Sequence, residues 1–216
     1  MLSVYFFELI RYNKTMKLTI VRHAQTLGNA EKRYLGMTES ELTERGRAQQ
    51  AQTLARLSGT TFDAVYASPS GRTMAMAEQL ARASHVRVRQ DDRLREMHFG
   101  IFDGLTAAEA EAQYQEIWQA WLADFDRYRL PEGEGFQDVK ARFAAFWKEI
   151  KGAYDDSAHL ALVTHGGVVR AALAVLCGMP DALTWHVETQ PASIVQIKMI
   201  GDYGVLCGLI PSETLQ

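Results

Sequence analysis

Three short apolar runs in this chain each end in a cluster of polar residues and then pass into a helical pattern. That repeated order is the strongest constraint on the fold. Lys17-Leu-Thr-Ile-Val21 reads as a buried strand and runs straight into Arg22-His23-Ala24-Gln25-Thr26, with Asn29 three residues on. Phe62-Asp-Ala-Val-Tyr-Ala67 reads as a second strand, followed by Ser68-Pro69-Ser70-Gly71-Arg72 and a helix over 70–83 that turns Met74, Ala77, Leu80 and Ala81 inward. Leu160-Ala-Leu-Val163 is the third, and Thr164-His165-Gly166-Gly167 opens a helix over 168–176 that stops at Gly178, with Pro180 just beyond.

The segments between them fit the same scheme. Residues 43–57 read as a helix capped by Thr43, with Ala48, Ala51, Leu54 and Ala55 on its inner face. Val86 and Val88 alternate with arginines as a short edge strand does, residues 106–126 have helical composition, and Pro131-Glu-Gly-Glu-Gly135 is a break. Phe136, Val139, Phe143, Phe146, Trp147 and Ile150 then keep a helical period, and two strands follow over 193–199 and 205–209. Alternating strands and helices specify an α/β three-layer sandwich, a mostly parallel sheet with helices on both faces. In such sheets ligands bind beyond the carboxyl ends of the strands, where the three polar clusters fall.

Composition narrows the function classes. A net charge of −3 offers no general attraction to nucleic acid or to an anionic membrane, so any positive charge that holds a phosphate must be local. No apolar run is long enough to cross a bilayer, and the apolar opening Met1-Leu-Ser-Val-Tyr-Phe-Phe-Glu-Leu-Ile10 lacks a basic leader and a cleavage site, so it is not read as a signal peptide. The two cysteines, Cys177 and Cys207, have no ligand spacing, and a reducing, cytoplasmic location is the expectation. Neither a metal site nor a cofactor is expected, since no ligand cluster and no GxxxxGK[ST] loop is present.

Each cluster alone has an ordinary reading: a surface basic pair, a helix cap, a buried turn histidine, and, for Glu96 in Leu94-Arg-Glu-Met-His-Phe-Gly100, a solvated loop carboxylate. Together they offer phosphate chemistry, with two arginines able to grip oxygens in planar forks, two histidines on separate strand ends, glycines that expose amides at a helix start, and a carboxyl for proton transfer.

The ordered set resembles the histidine phosphatase, or phosphoglycerate mutase-like, superfamily over residues 16–199. The family's Arg-His-Gly-x-Thr appears as Arg22-His23-Ala24-Gln25-Thr26 and its Leu-Thr-x-x-Gly as Leu42-Thr43-Glu44-Arg45-Gly46, followed by the Ser-x-x-x-Arg element, the acidic loop residue and the second His-Gly. Alanine at 24 and glutamine at 25 depart from the usual glycine and glutamate, and Met76 stands where threonine is common. The resemblance implies a phosphomonoester hydrolase with His23 as phosphate acceptor, Glu96 as proton donor and acceptor, His165 as a further catalytic group, and Arg22, Asn29, Arg72 and the Gly166 amide around the phosphate.

Glu132-Gly-Glu-Gly-Phe136 and Gly178-Met-Pro with Trp185-His186 are similar to the α-ribazole phosphatases of cobalamin assembly, which makes Phe136, Trp185 and His186 candidate specificity residues and α-ribazole 5′-phosphate a candidate substrate. The alternatives are a broad-specificity small-molecule phosphatase, a mutase-type phosphotransferase, which Met97-His98-Phe99-Gly100 after the acid residue disfavours, and a non-catalytic phosphate-binding module, which has no use for both His23 and Glu96. The expected partner is a small phosphate ester rather than nucleic acid or membrane, and a homodimer stays open. Residues 1–15 are expected to form an extension outside the fold, because family members start their first strand beside the initiator methionine, as Met16-Lys17-Leu18 would here; residues 16–210 are expected to form a single domain.

Overall fold

The computed structural model describes residues 15–212. The expected N-terminal extension therefore lies, apart from Thr15, outside the described residues. Six strands form one sheet: β1 (Met16–Arg22), β2 (Ala64–Ala67), β3 (Val88–Gln90), β4 (His159–Thr164), β5 (Ile194–Ile200) and β6 (Tyr203–Ile210), in the spatial order β3-β2-β4-β1-β5-β6. The first four run parallel, while β5 and β6 add an antiparallel hairpin beside β1.

Period-two alternation along the central strands sends side chains to two separate cores. Leu18 and Ile20 of β1 and Leu160 and Leu162 of β4 face one, where they meet α6 (Phe136–Lys151) and α7 (Gly166–Cys177). Val21 and Val163 face the other, against α3 (Gly71–Ala83) and the end of α2 (Glu44–Arg56). The sheet thus has helices on both faces. The larger core is rich in aromatics: Phe136, Phe143 and Phe146 are fully buried at the helical spacing read from the sequence. Burying a side chain of that size contributes roughly 1.5–3 kcal/mol. Truncating one leaves a cavity as well, so Phe146→Ala is expected to cost about 3–5 kcal/mol.

Two details differ from the sequence reading. Thr43 does cap α2, but Ala48, Ala51 and Ala55 are exposed, and the buried face carries Gly46, Gln49, Gln50 and Thr53. This face packs on loop backbone rather than on apolar side chains: Gln49 accepts from the amide of Gln25, and the Thr53 hydroxyl donates to the carbonyl of Ala192. A hydrophobic pattern cannot register a contact of that kind. Residues 106–126 form not one helix but two, α4 (Ala107–Gln113) and α5 (Gln115–Ala123), because Tyr114 leaves helical geometry at φ −137°. The shorter α1 (Leu27–Ala30) and α8 (Asp181–Thr184) complete the α-helices among the described residues, beside 3-10 turns at Asp92–Leu94 and Gly100–Phe102.

Candidate active site

The carboxyl ends of β1, β2 and β4 converge, and the local hydrogen bonds explain why the flanking motifs have their spelling. The backbone of His23 is held on both sides, its amide donating to Thr164 and its carbonyl accepting from Ala192. Nδ1–H of the ring donates to the carbonyl of Ala24 at 2.8 Å, which leaves the lone pair on Nε2. The Leu-Thr-x-x-Gly motif fastens the loop that follows. Thr43 donates through its backbone amide to the Gln25 carbonyl and through its hydroxyl to Gln25 Oε1, while capping the Gly46 amide. A Cβ at position 46 would lie 2.0 Å from the Gln25 carbonyl oxygen, so only glycine permits this approach.

His165 is the N-cap residue of α7, and its ring stands edge-on to that of His23 with centroids 5.1 Å apart. The Nε2 edge is hydrogen-bonded to the Ser68 hydroxyl at 2.8 Å, and Nδ1 is buried with no partner. Ser68 and Ser70, beyond the end of β2, thus orient a histidine almost a hundred residues away in sequence. Both imidazoles are held well below the ordinary histidine pKa of 6.5, first by burial and then by neighbouring positive charge; Arg22 and Arg72 act on both. His23 is therefore neutral at neutral pH, with its Nε2 lone pair free of a proton.

Arg22, the last residue of β1, donates through Nη1 to the carbonyl of Thr189, and its Nε is buried without a partner. Burial pushes its pKa down to about 10, against the opposing pull of Glu96. Arg72, in the first turn of α3, donates to the carbonyls of Leu35, Gly36 and Thr38 and also keeps an unpartnered buried Nε. Glu96 accepts from the amides of Met97 and Gly167 at 2.9 and 3.1 Å. A Cβ at position 167 would lie 2.4 Å from Glu96 Oε1, so a side chain there would push the carboxylate from its place. The Glu96 loop is pinned by Thr164, whose hydroxyl donates to the Leu94 carbonyl, and by Arg142, which donates to the carbonyls of Arg93 and Glu96 while pairing with Glu134.

Sequence reasoning missed Arg170. It rises from the second turn of α7 with an unpartnered buried Nε, donates to Thr189 Oγ1 at 2.8 Å, and lies 4.7 Å over the ring of Trp185. One signal was available: Arg170 is the sole charged residue in the apolar run 168–176. Together the buried Arg72 and the half-buried Arg22 and Arg170 make a cationic hole, each with a buried Nε, in a chain of net negative charge. Unpartnered buried donors on a cationic hole suit a phosphate dianion.

The remaining expected residues divide. Gly166 lies beside Arg22 and Arg170. Asn29 uses its Oδ1 in a capping box with Thr26 at the start of α1. A cavity of about 190 Å³ is lined by Arg22, Glu96 and Arg170 together with Trp121, Phe125, Phe136 and Trp185, whereas His23, Arg72 and His165 are not among its lining residues. His186 is exposed and not among the cavity's lining residues, because the turn after α8 points Trp185 inward and its neighbour out. Glu134, from the segment read as a specificity element, braces the Glu96 loop instead, its carboxylate accepting from the amide of His98.

The family model of the histidine phosphatase superfamily, branch 1, matches residues 18–208. The chain belongs to this superfamily. It is accordingly a phosphatase-type enzyme that works through a histidine nucleophile. Its relatives carry different substrate names. Phosphoserine phosphatase 1 of Hydrogenobacter thermophilus is 29% identical over 184 residues, covering 85% of this chain and 87% of that protein. A probable phosphoglycerate mutase, GpmB, of Erwinia tasmaniensis is 31% identical over 183 residues, covering 84% of each. Among solved structures, the alpha-ribazole phosphatase of Shigella flexneri superposes with a TM-score of 0.82 at 26% identity, covering 91% of this chain and 97% of that one.

Proposed function

We propose that this chain hydrolyses phosphomonoesters in two steps at His23, and that its substrate is α-ribazole 5′-phosphate or a related ester with an aromatic ring. In the first step Nε2 of neutral His23 attacks phosphorus, the P–O ester bond breaks, and Glu96 gives a proton to the departing oxygen. In the second, water attacks the phosphohistidine while Glu96 takes its proton back, and His23 is released with inorganic phosphate. Dividing the reaction this way replaces one hard displacement by two easier ones. Arg22, Arg72 and the Nδ1–H of His165, left to donate when Nε2 accepts from Ser68, balance charge on the equatorial oxygens; such pre-set donors are generally the largest catalytic term. Gly166 would add its amide, and Asn29 its side-chain Nδ2, whose Oδ1 is already in use.

The observation that carries the substrate reading is the aromatic wall of the cavity. A ring laid against such a wall gains about 0.5–1.5 kcal/mol beyond its area burial. Phosphoserine and 3-phosphoglycerate carry a carboxylate close to the phosphate, and among the described residues the cations lining the cavity are Arg22 and Arg170, the latter already donating to Thr189 Oγ1. The test is kcat/KM for α-ribazole 5′-phosphate beside phosphoserine, 3-phosphoglycerate and simple sugar phosphates. α-Ribazole 5′-phosphate should be among the best; if phosphoserine or 3-phosphoglycerate is preferred by tenfold or more (about 1.4 kcal/mol), the substrate reading falls while the phosphatase chemistry stands.

A further inference from the structure

Arg72 does not reach the site unaided. Three of its guanidinium hydrogens are taken by carbonyls of one short loop: Nη1 donates to Thr38 at 3.0 Å, and Nη2 to Leu35 and Gly36 at 3.1 and 3.0 Å. A flexible loop could not orient a guanidinium in this way. The opposite side of the same loop is held by one carboxylate. Asp103 Oδ1 accepts from the amide of Gly36 at 2.9 Å, and Oδ2 from the amides of Met37 and Thr38 at 2.8 and 3.2 Å. The loop is thus clasped between a cation that uses its carbonyls and an anion that uses its amides.

The anion is itself well anchored. Asp103 follows the fully buried Phe102 at the end of a short 3-10 turn, and the next residues are stitched to the loop's start, Gly104 donating to the Tyr34 carbonyl and Tyr34 to that of Leu105. Two other carboxylates act on Arg72: Glu96, which belongs to the site itself, and Glu39, which is exposed and 3.9 Å away, a distance and setting that contribute little.

We propose that Asp103 is a positioning residue for catalysis, setting the aim of Arg72 through the loop 35–38. This rests on the reading that Arg72 binds the substrate phosphate. With three Arg72 hydrogens committed to carbonyls, the unpartnered Nε is left as a donor for a phosphate oxygen, and its direction depends on where the loop stands. Backbone amides donating to an ionised carboxylate make strong, directional bonds, so a neutral replacement loosens all three.

The test is a double-mutant cycle of Asp103→Asn with Arg72→Ala, read by kcat/KM on p-nitrophenyl phosphate and by inhibition with inorganic phosphate. Asp103→Asn in the otherwise native enzyme should lower kcat/KM by about 10- to 100-fold and weaken phosphate inhibition in parallel, as expected for a displaced catalytic group. In the Arg72→Ala background the same change should alter either quantity by less than about twofold, since coupled residues fail to add. Asp103→Glu keeps the charge on a longer arm and should restore part of the loss; it also serves if Asp103→Asn does not fold. Near-normal activity in Arg72→Ala would overturn the reading of Arg72, and this inference with it. If Arg72→Ala is impaired but the Asp103 variants lose nothing, or lose equally in both backgrounds, the inference fails while the role of Arg72 stands.

Discussion

The cationic and aromatic ends of the candidate site are built by different means. At the cationic end His23, Arg22, Arg72 and His165 leave from the last residue of a strand, the residue after it, or the first turn of a helix, and directional hydrogen bonds hold each of them. At the other end Tyr34, Trp121 with Phe125, and Trp185 come from three segments and meet ring to ring, with centroids 5.4 Å apart for Tyr34 and Trp121, 6.1 Å for Trp121 and Phe125, and 4.1 Å for Phe125 and Trp185. Contacts of the second kind have weak directionality, so a wall made of them can be reshaped without moving the reacting atoms. Substitutions at the two ends should therefore act on different kinetic constants.

The largest expected effect is at the nucleophile. His23→Ala should abolish turnover, and native enzyme quenched during reaction should carry an acid-labile, alkali-stable phosphate; label recovered on serine, aspartate or cysteine would end the assignment. Next come the cations. Arg22→Ala should lose about 3 kcal/mol of transition-state stabilisation, chiefly in kcat, by analogy with removal of one oxyanion donor. A change confined to KM would instead place Arg22 with the aromatic wall.

The third expectation concerns pH. The folded protein keeps His23 and His165 neutral, with pKa values depressed below 6.5, whereas the unfolded chain protonates them near that value. The unfolded state then binds more protons as pH falls below 6.5, so stability declines on the acid side, by roughly 1 kcal/mol per histidine per pH unit. Melting temperature measured from pH 7.5 to 5.5 should fall, and His165→Asn should flatten that fall while Trp185→Ala leaves its slope unchanged. Equal slopes in all three proteins would show that the acid sensitivity lies elsewhere.

The smallest effect belongs to the wall. Trp185→Ala should raise KM for α-ribazole 5′-phosphate by up to about tenfold, the size of a lost aromatic contact, with kcat nearly unchanged. A matching loss of kcat would erase the division between the two ends. Trp185 also packs against Arg170 and donates to Asp126, so the melting temperature should be recorded beside the kinetics.

The convergence of the candidate residues was legible in the linear chain because parallel strands place their terminal residues at one edge, and the residues flanking each strand end inherit that position. Arg22 with His23, Arg72, and His165 with Gly166 are therefore chain neighbours of apolar runs that any reader can find. The period-two split of Leu18, Ile20 and Val21 between two cores was legible for the same reason, since alternation is local geometry. Tertiary packing decided the rest: that α2 buries Gln49 and Thr53 instead of its alanines, that Glu96 meets the amide of Gly167, that Arg170 joins the cationic hole, and that Trp185 rather than His186 turns inward. Each of these depends on hydrogen bonds or ring contacts between segments far apart in sequence. Such contacts exist only once the sheet has brought its strand ends together, and no local periodicity records them.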